Sequence, residues 1–254
     1  MALAEALLEL QELTERLRRD CPWDREQTAK TIVPHTVEEA YEVADAALAD
    51  DDAKLLDELG DLLFQCVFLS LLLQENAKGD LEQVIRGVTA KLIQRHPHVF
   101  GDEQIGSAPA VRRRWEQIKH EQEGREGIFH HVPEALPGLL YARKAQLRAA
   151  AVGFEYPDVE GALVDLEDEL RELKEELGEG RERQAQEVGD LLFACVNVAR
   201  RLSVDPELEL RRATQRFVGR VEEAERLAAT AGAAFSDLPL EEQDRYFDRA
   251  KRVL

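Results

Sequence analysis

The sequence contains few of the residues that covalent cross-links, secretion and membrane insertion require. Its cysteines, Cys21, Cys66 and Cys195, are odd in number and form no CxxC pair, which predicts free thiols in a reducing compartment. The longest apolar run, residues 62–73, is too short to span a bilayer. Acids interrupt the apolar repeat at the N-terminus, so no signal peptide is expected. We therefore expect a cytoplasmic location and no membrane partner.

Positive charge is also scarce. The chain has 33 Lys and Arg against 52 Asp and Glu, which gives a formal net charge of −19 at pH 7. Nucleic acids and anionic membranes are bound through clustered Lys and Arg. The composition therefore argues against a nucleic-acid partner, whereas a small anionic substrate remains compatible if metal ions mediate its binding.

Helical periodicity dominates what is present. Leucines recur at helical spacing through residues 3–19, and helices also fit residues 36–49, 53–77, 80–95 and 108–122. Thr36 is the expected N-cap of the second of these helices, with Glu39 as its capping-box partner. Since no stretch alternates with period two over a useful length, the predicted fold class is all-α.

An internal repeat divides the chain. The segment GDLLFQCV at residues 60–67 returns as GDLLFACV at residues 189–196. An E-x-x-E pair precedes each copy and a pair of basic residues follows it, in the same order. This pattern predicts a tandem repeat with a first unit at residues 1–122, a linker at 123–137 and a second unit at 138–254.

Each predicted unit carries acidic pairs on two adjoining helices. Residues three apart share a helix face, so Glu39 and Glu42 point together, as do Glu58 and Asp61. A short connection makes the two helices antiparallel neighbours, so the four carboxylates converge. Two like charges roughly 4 Å apart repel by about 4 kcal/mol at an effective dielectric near 20. Protons, Lys or Arg, or divalent cations must neutralise them, and oxygen-only ligands favour Mg²⁺ or Mn²⁺.

The alternative is that the acids form solvated helix faces, as a lone E-x-x-E usually does. The second acidic pair abuts a buried run and the whole pattern recurs, which favours a metal site. Gly60 and Gly189 interrupt helices and precede an acid, which indicates close approach of another backbone or a ligand. Cys66 and Cys195, at matched positions of the apolar helices, are predicted to be core thiols.

These residues resemble a known family. The pattern E-E-x-x-E followed by E-x-x-D is the signature of the MazG-type nucleoside triphosphate pyrophosphohydrolases. This family belongs to an all-α superfamily that also includes the dimeric dUTPases and the phosphoribosyl-ATP pyrophosphohydrolases. The resemblance extends over nearly the whole chain, through CPWDREQT, RHPHVFG, RWEQIK and VGFEY. It implies a homodimer whose chain contains two MazG-like units of four or five helices, with metal sites between helices.

The resemblance also assigns roles to individual residues. The implied metal ligands are Glu39, Glu42, Glu58 and Asp61 in the first unit and Glu169, Glu172, Glu187 and Asp190 in the second. The implied phosphate contacts are Lys54, Lys91, Arg95 and Lys119, and then Arg183, Arg216, Arg220 and Lys251. The aromatic residues beside the nucleotide would be Trp115 and Phe247. Glu38 and Asp168 open the motif as candidate catalytic bases, and Asp168 departs from the usual glutamate.

The implied activity is Mg²⁺-dependent hydrolysis of nucleoside triphosphates to the monophosphate and pyrophosphate, with Mn²⁺ as an alternative ion. An aromatic ring stacks on a base without reading its identity, so broad base tolerance and a role in nucleotide-pool housekeeping are expected. Two alternatives remain open: a narrow dUTPase-like or phosphoribosyl-ATP pyrophosphohydrolase, and a non-catalytic helical interaction protein stabilised by metal.

Overall fold

The structure is a computed structural model that describes residues 2–108, 110–111, 114–115, 118, 127–129 and 132–253. Within these residues the regular secondary structure is helical and no strand occurs, so the predicted all-α class is confirmed. The chain divides into two compact units, residues 1–123 and 124–254. The limits drawn from the repeat, including the linker at 123–137, stay predictions, and part of that linker lies outside the described residues.

The first unit is built around one pair of long helices. Its helices are α1 (Ala2–Asp20), α2 (Pro22–Glu26), α3 (Ala29–Leu48), α4 (Asp52–Glu75), α5 (Leu81–Arg95) and α6 (Pro97–Phe100). The described residues among 108–118 are also helical. Helices α3 and α4 form the main packing pair, and Ile32, Phe68 and Leu72 make its core. The candidate metal ligands of this unit lie on the same two helices, Glu39 and Glu42 on α3 and Glu58 and Asp61 on α4.

Helix α3 begins earlier than the sequence predicts. Thr28, not Thr36, is its N-cap, and a reciprocal capping box joins Thr28 to Thr31. The Thr28 backbone N–H donates to the Thr31 hydroxyl over 2.8 Å. The prediction of an N-cap at Thr36 is therefore wrong. Pro34 lies inside the helix without ending it, and the Thr36 hydroxyl donates to the Ile32 carbonyl one turn back over 3.4 Å.

The second unit repeats the same principal pair. Its helices are α7 (Gly138–Ala151), α8 (Val159–Glu175), α9 (Arg181–Arg201), α10 (Pro206–Thr230) and α11 (Leu240–Ala250), with short 3₁₀ turns at Glu176–Gly178 and Phe235–Asp237. Helices α8 and α9 pack together as α3 and α4 do. Asp158 caps α8 by accepting from the Gly161 backbone N–H over 2.9 Å. The connection from α8 to α9 spans residues 176–180, whereas residues 49–51 suffice between α3 and α4.

Much apolar surface stays open to solvent within each unit. Helix α5 contains no buried residue, and even its apolar side chains Val88 and Ile93 are 43% and 45% exposed. The predicted core thiols Cys66 and Cys195 are both exposed, which corrects that prediction. Their helix faces are apolar, but no element of the described chain covers them at these points. Among the described residues, none forms a helix with the length and apolar character needed to traverse a bilayer.

Candidate metal centres

The first acidic cluster lies between α3 and α4. Oxygen atoms of Glu39, Glu58 and Asp61 all lie within 4.8 Å of one another. Glu58 is buried, with a relative exposure of 7%, and Asp61 is exposed. Asp51 caps the start of α4 by accepting from the Lys54 backbone N–H over 3.0 Å, which stabilises the helix that carries Glu58 and Asp61. The cluster is therefore shielded from solvent at Glu58 and open to solvent at Asp61.

Crowding of carboxylates shapes the electrostatics of this cluster. Burial, and then the charges of Asp61 and Glu42, raise the pKa of Glu39. Burial also raises the pKa of Glu58, and a hydrogen bond that protonated Glu58 donates to Glu42 raises it further. Lys54 opposes this shift, since its Nζ atom lies 3.8 Å from Glu58 Oε1. The fourth predicted ligand, Glu42, thus lies beside Glu58 and near Glu39.

The second cluster repeats the arrangement between α8 and α9. Oxygen atoms of Glu169, Glu187 and Asp190 also lie within 4.8 Å of one another. Burial, followed by the charge of Asp190, raises the pKa of Glu169. Burial and then the charge of Glu172 raise the pKa of Glu187. Glu187 is half-buried, so this cluster is the more open of the two.

The acids that open the motif lie beside different basic groups. Glu38 Oε2 is 3.6 Å from His35 Nδ1, whereas Asp168 Oδ1 is 2.8 Å from an Arg171 guanidinium nitrogen. Both acidic side chains are about half exposed or more, at 65% and 49%. The catalytic role assigned to these two acids stays a prediction.

Among the remaining predicted site residues, cations and aromatic rings meet in both units. Arg95, on α5 with Lys91, places its guanidinium carbon 5.9 Å from the centre of the Trp115 ring. Lys251 Nζ lies 4.8 Å from the centre of the Phe247 ring. Each contact joins a predicted phosphate-binding residue to a predicted base-stacking residue. The roles of these residues stay predictions, and Lys119 lies outside the described residues.

Of the three other predicted phosphate-binding residues of the second unit, two lie on α10 and one on α9. Arg216 and Arg220 flank Phe217, whose ring lies 5.7 Å from that of Phe247 on α11. Arg183, the counterpart of Lys54, lies 3.6 Å from Glu176 in the turn after α8. This cation is therefore directed toward the α8–α9 connection, whereas Lys54 points at its cluster.

Gly60 and Gly189 have no steric cause within the described residues. A Cβ atom built at Gly60 or Gly189 would meet nothing within 4 Å. Close approach of another segment of the described chain is therefore not the reason for either glycine. Gly60 instead lines an open groove on α4 together with Lys54, Asp57 and Asp61. Approach of a ligand stays a prediction for both positions.

Sequence reasoning missed one pair of residues beside the clusters. Asp165 lies four residues before Glu169 and contributes to its raised pKa. His35 lies four residues before Glu39 and lowers the pKa of that residue. A search for charged residues at i−4 from each cluster would have found both, because this spacing keeps a helix face.

The donor set fits a hard divalent cation. Each cluster offers only carboxylate oxygens, with no imidazole or thiolate, and these are the ligands that Mg²⁺, Mn²⁺ and Ca²⁺ prefer. Burial first, and then neighbouring carboxyl groups, raise the pKa values of Glu39, Glu58, Glu169 and Glu187, so desolvation and repulsion between like charges both oppose full ionisation of the clusters. Metal binding would relieve that repulsion.

Comparison with known proteins identifies the family. A family model for the MazG nucleotide pyrophosphohydrolase domain matches residues 27–100, which hold the first cluster. The nucleoside triphosphate pyrophosphohydrolase/pyrophosphatase MazG of Thermotoga maritima is 40% identical over 96% of this chain and 94% of its own length. The chain belongs to the MazG family. The nucleoside triphosphate pyrophosphohydrolase of Escherichia coli K12 is likewise 40% identical, over 94% of this MazG-family chain and 95% of its own length.

A solved structure is similar over a shorter region. The mazG-related protein from Thermotoga maritima is 32% identical, covering 44% of this MazG-family chain and 96% of its own, with a TM-score of 0.38. The resemblance drawn from E-E-x-x-E and E-x-x-D is thus confirmed at the level of the family, by the curated relatives that span nearly the whole chain.

Proposed function

We propose that this chain hydrolyses nucleoside triphosphates to nucleoside monophosphate and pyrophosphate, with Mg²⁺ as the cofactor, Mn²⁺ as a substitute and broad base tolerance. A role in clearing aberrant or excess nucleotides follows from that tolerance. The similarity to the nucleoside triphosphate pyrophosphohydrolases of Thermotoga maritima and Escherichia coli K12 over nearly the whole chain supports the reaction. The observation that carries the proposal is the pair of matched carboxylate clusters, each with oxygens within 4.8 Å.

The acids and bases of the chain have complementary tasks in this reaction. A triphosphate cannot approach several carboxylates directly, because all of them are negative. When bound, a divalent cation supplies polarisation of phosphoryl oxygens and a bound water of lowered pKa. Four acids of the first unit would hold that ion: Glu39, Glu42, Glu58 and Asp61. Glu38 would accept a proton from the attacking water. In the second unit the ligands would be Glu169, Glu172, Glu187 and Asp190, and the base would be Asp168.

Cationic side chains would bind the polyphosphate and stabilise the leaving pyrophosphate. In the proposal this role belongs to four cations in each unit: Lys54, Lys91, Arg95 and Lys119 in the first, and Arg183, Arg216, Arg220 and Lys251 in the second. Charge growing on the leaving group is stabilised most by donors that are already in place. The contacts of Arg95 with Trp115 and of Lys251 with Phe247 support a pocket in which phosphate and base ends adjoin.

Base tolerance in this proposal comes from the aromatic residues. The Trp115 and Phe247 rings offer a face that stacks on any base, since every base has its own π-face. A panel of ATP, GTP, CTP, UTP and dUTP tests this directly. Turnover of several bases within about tenfold of one another supports the proposal. Turnover of dUTP alone, or of phosphoribosyl-ATP alone, would replace it with one of the narrow enzymes.

We also propose that the chain is a homodimer. Helix α5 buries none of its residues within its unit, and Leu56, Leu59 and Leu63 on α4 are 76%, 48% and 47% exposed. Pairing of copies would bury this surface. Light scattering at micromolar concentration should give about twice the 28.7 kDa chain mass. A clean monomer would remove the dimer from the proposal.

Product analysis is the decisive test of the reaction. Chromatography after incubation of the chain with ATP and Mg²⁺ should show AMP and pyrophosphate as the primary products. Excess chelator should abolish turnover, and Mg²⁺ or Mn²⁺ should restore it. ADP and inorganic phosphate as primary products would refute the proposed bond. Absence of any turnover, with metal bound, would favour a helical interaction protein.

A further inference from the structure

One helical turn before each cluster, the two units carry side chains of different charge. His35 is four residues before Glu39, and Asp165 is four residues before Glu169. Side chains at this spacing are neighbours on one helix face. The second unit therefore adds a carboxylate beside its first cluster acid, and the first unit does not.

A hydrogen bond from Tyr156 holds the Asp165 side chain in place. The Tyr156 hydroxyl donates a hydrogen bond to Asp165 Oδ1 over 2.8 Å. The Tyr156 ring crosses the first turn of α8 so closely that a Cβ atom at Gly161 would lie 3.2 Å from it. Glycine at that position thus admits the ring. The negative charge of Asp165 has a fixed location, and it is one cause of the raised pKa of Glu169.

His35 occupies the matching position under different restraints. Its ring meets the Trp23 ring edge to face, with centroids 5.7 Å apart, and its Nδ1 atom faces Glu38 at 3.6 Å. An imidazole is neutral or positive and never negative. Both units thus use an aromatic side chain from the segment before the motif helix to hold this position, but they place opposite chemistry on it.

We propose that the residue at this position sets the divalent-cation affinity of its own cluster, with Asp165 strengthening cation binding in the second unit and His35 withholding that contribution in the first. This inference rests on the metal dependence in the proposed function. A unit charge roughly 8 Å from a divalent cation in water changes its Kd by about fivefold, which corresponds to about 1 kcal/mol.

The test measures Mn²⁺ binding to the full chain by electron paramagnetic resonance and calorimetry, without nucleotide. Asp61→Asn weakens the first cluster, so the remaining tight site belongs to the second. Adding Asp165→Asn to this background should raise its Kd by about fivefold. Asparagine still accepts the Tyr156 hydrogen bond, so the change removes charge and keeps the contact. Asp165→Glu, which restores the charge, should restore most of the affinity.

The first unit gives the reciprocal measurement. In an Asp190→Asn background, His35→Asp should lower the Kd of the remaining site by about fivefold. The matched control for Asp165→Asn is Glu160→Gln in the same Asp61→Asn background. This change removes one exposed acid from α8 at roughly 13 Å along the helix from Glu169, beyond a Debye length. It should leave the Kd of the second site unchanged.

The outcomes separate this inference from the proposed function. If Asp165→Asn leaves the Kd of the second site unchanged, or if Glu160→Gln changes it as much, the inference is overturned. If neither parent background shows saturable Mn²⁺ binding, the proposed metal dependence fails first and the inference fails with it. Saturable binding in the parents with reciprocal shifts in Asp165→Asn and His35→Asp establishes the assignment.

Discussion

A basic residue at the same helix position has a different acidic partner in each of the two units. Lys54 and Arg183 both lie at the third residue of the helix that carries the second acidic pair. Lys54 reaches along α4 to within 3.8 Å of Glu58, whereas Arg183 turns back to within 3.6 Å of Glu176. We infer that the connection between the paired helices decides whether this cation lies beside the acidic cluster.

The cause is the length and anchoring of that connection. Residues 49–51 join α3 to α4, and residues 176–180 join α8 to α9. In the longer connection the Gln184 side-chain amide donates to the carbonyls of Leu177 and Glu179 over 2.9 and 3.1 Å. This anchoring presents Glu176 to Arg183. The first cluster therefore has a cation beside its buried acid, Glu58. The second cluster is more open, and Arg183, the counterpart of that cation, lies beside Glu176 instead.

Removing one ligand charge from each cluster tests whether both units are catalytic, and it should have the largest effect. We expect Asp61→Asn and Asp190→Asn each to retain measurable pyrophosphate release from ATP. The double variant should lose activity by at least about a hundredfold, because each acid orders a catalytic metal. Initial rates of the three variants give the measurement. If one single variant alone matches the double, only that unit is catalytic and the other needs a structural or regulatory role.

How far the sequence predicts this molecule depends on the range of each interaction. The apolar periodicity of residues 53–77 predicts α4 well, because spacing along a helix is a local property. The true N-cap was missed because Thr36 and Glu39 imitate a capping box, while Thr28 and Thr31 form the real one. Local signals of this kind compete, and tertiary packing decides between them.

The site shows the same division. The three-residue spacing of Glu58 and Asp61 predicts their convergence with Glu39, which the structure places within 4.8 Å. The exposure of Cys66 and Cys195 was not predictable, because it depends on which helix faces the other elements cover. The contact of Tyr156 with Asp165 was also missed, since the chain must fold back over Gly161 to form it.

Removing the aromatic ring from each unit should have a smaller effect on turnover of ATP. In the Asp190→Asn background, Trp115→Ala should raise the KM for ATP by about tenfold, since stacking on one aromatic ring contributes about 1–3 kcal/mol. In the Asp61→Asn background, Phe247→Ala should raise KM by a similar or smaller factor. Steady-state kinetics with ATP and UTP measure both. An unchanged KM in either background would show that the ring in that unit does not contact the base.

The pH dependence of the metal-free protein should distinguish folded clusters from ordinary surface acids. The pKa values of Glu39, Glu58, Glu169 and Glu187 are raised in the folded state. The folded state therefore holds more protons, so the free energy of unfolding falls as pH rises from about 4.3 through the raised pKa values. Acids of lowered pKa, such as Glu75 and Glu155, change stability only below that window.

We accordingly expect a lower Tm in chelator at pH 7.5 than at pH 5, as measured by calorimetry. Saturating Mg²⁺ at pH 7.5 should recover the difference, because an ion that binds only the folded state stabilises it. A Tm that rises from pH 5 to pH 7.5 in chelator would contradict the carboxylate repulsion on which both clusters depend.

The smallest expected effect separates the two clusters by burial. In chelator at pH 7.5, Glu58→Gln should raise Tm by about 2 °C, because it removes a charge from the buried position while keeping the side-chain shape. Glu187→Gln should raise it less, since Glu187 is half-buried. Lys54 loses its partner in the first variant, but its side chain is 50% exposed and water replaces the weak pairing. Glu9→Gln, at an exposed position on α1, is the control and should leave Tm nearly unchanged. Calorimetry in the presence of Mg²⁺ should reverse the order, because Glu58→Gln then removes a metal ligand. Equal shifts for Glu58→Gln and Glu187→Gln in chelator would show that burial does not distinguish the clusters, and their difference would then lie in the positions of Lys54 and Arg183 alone.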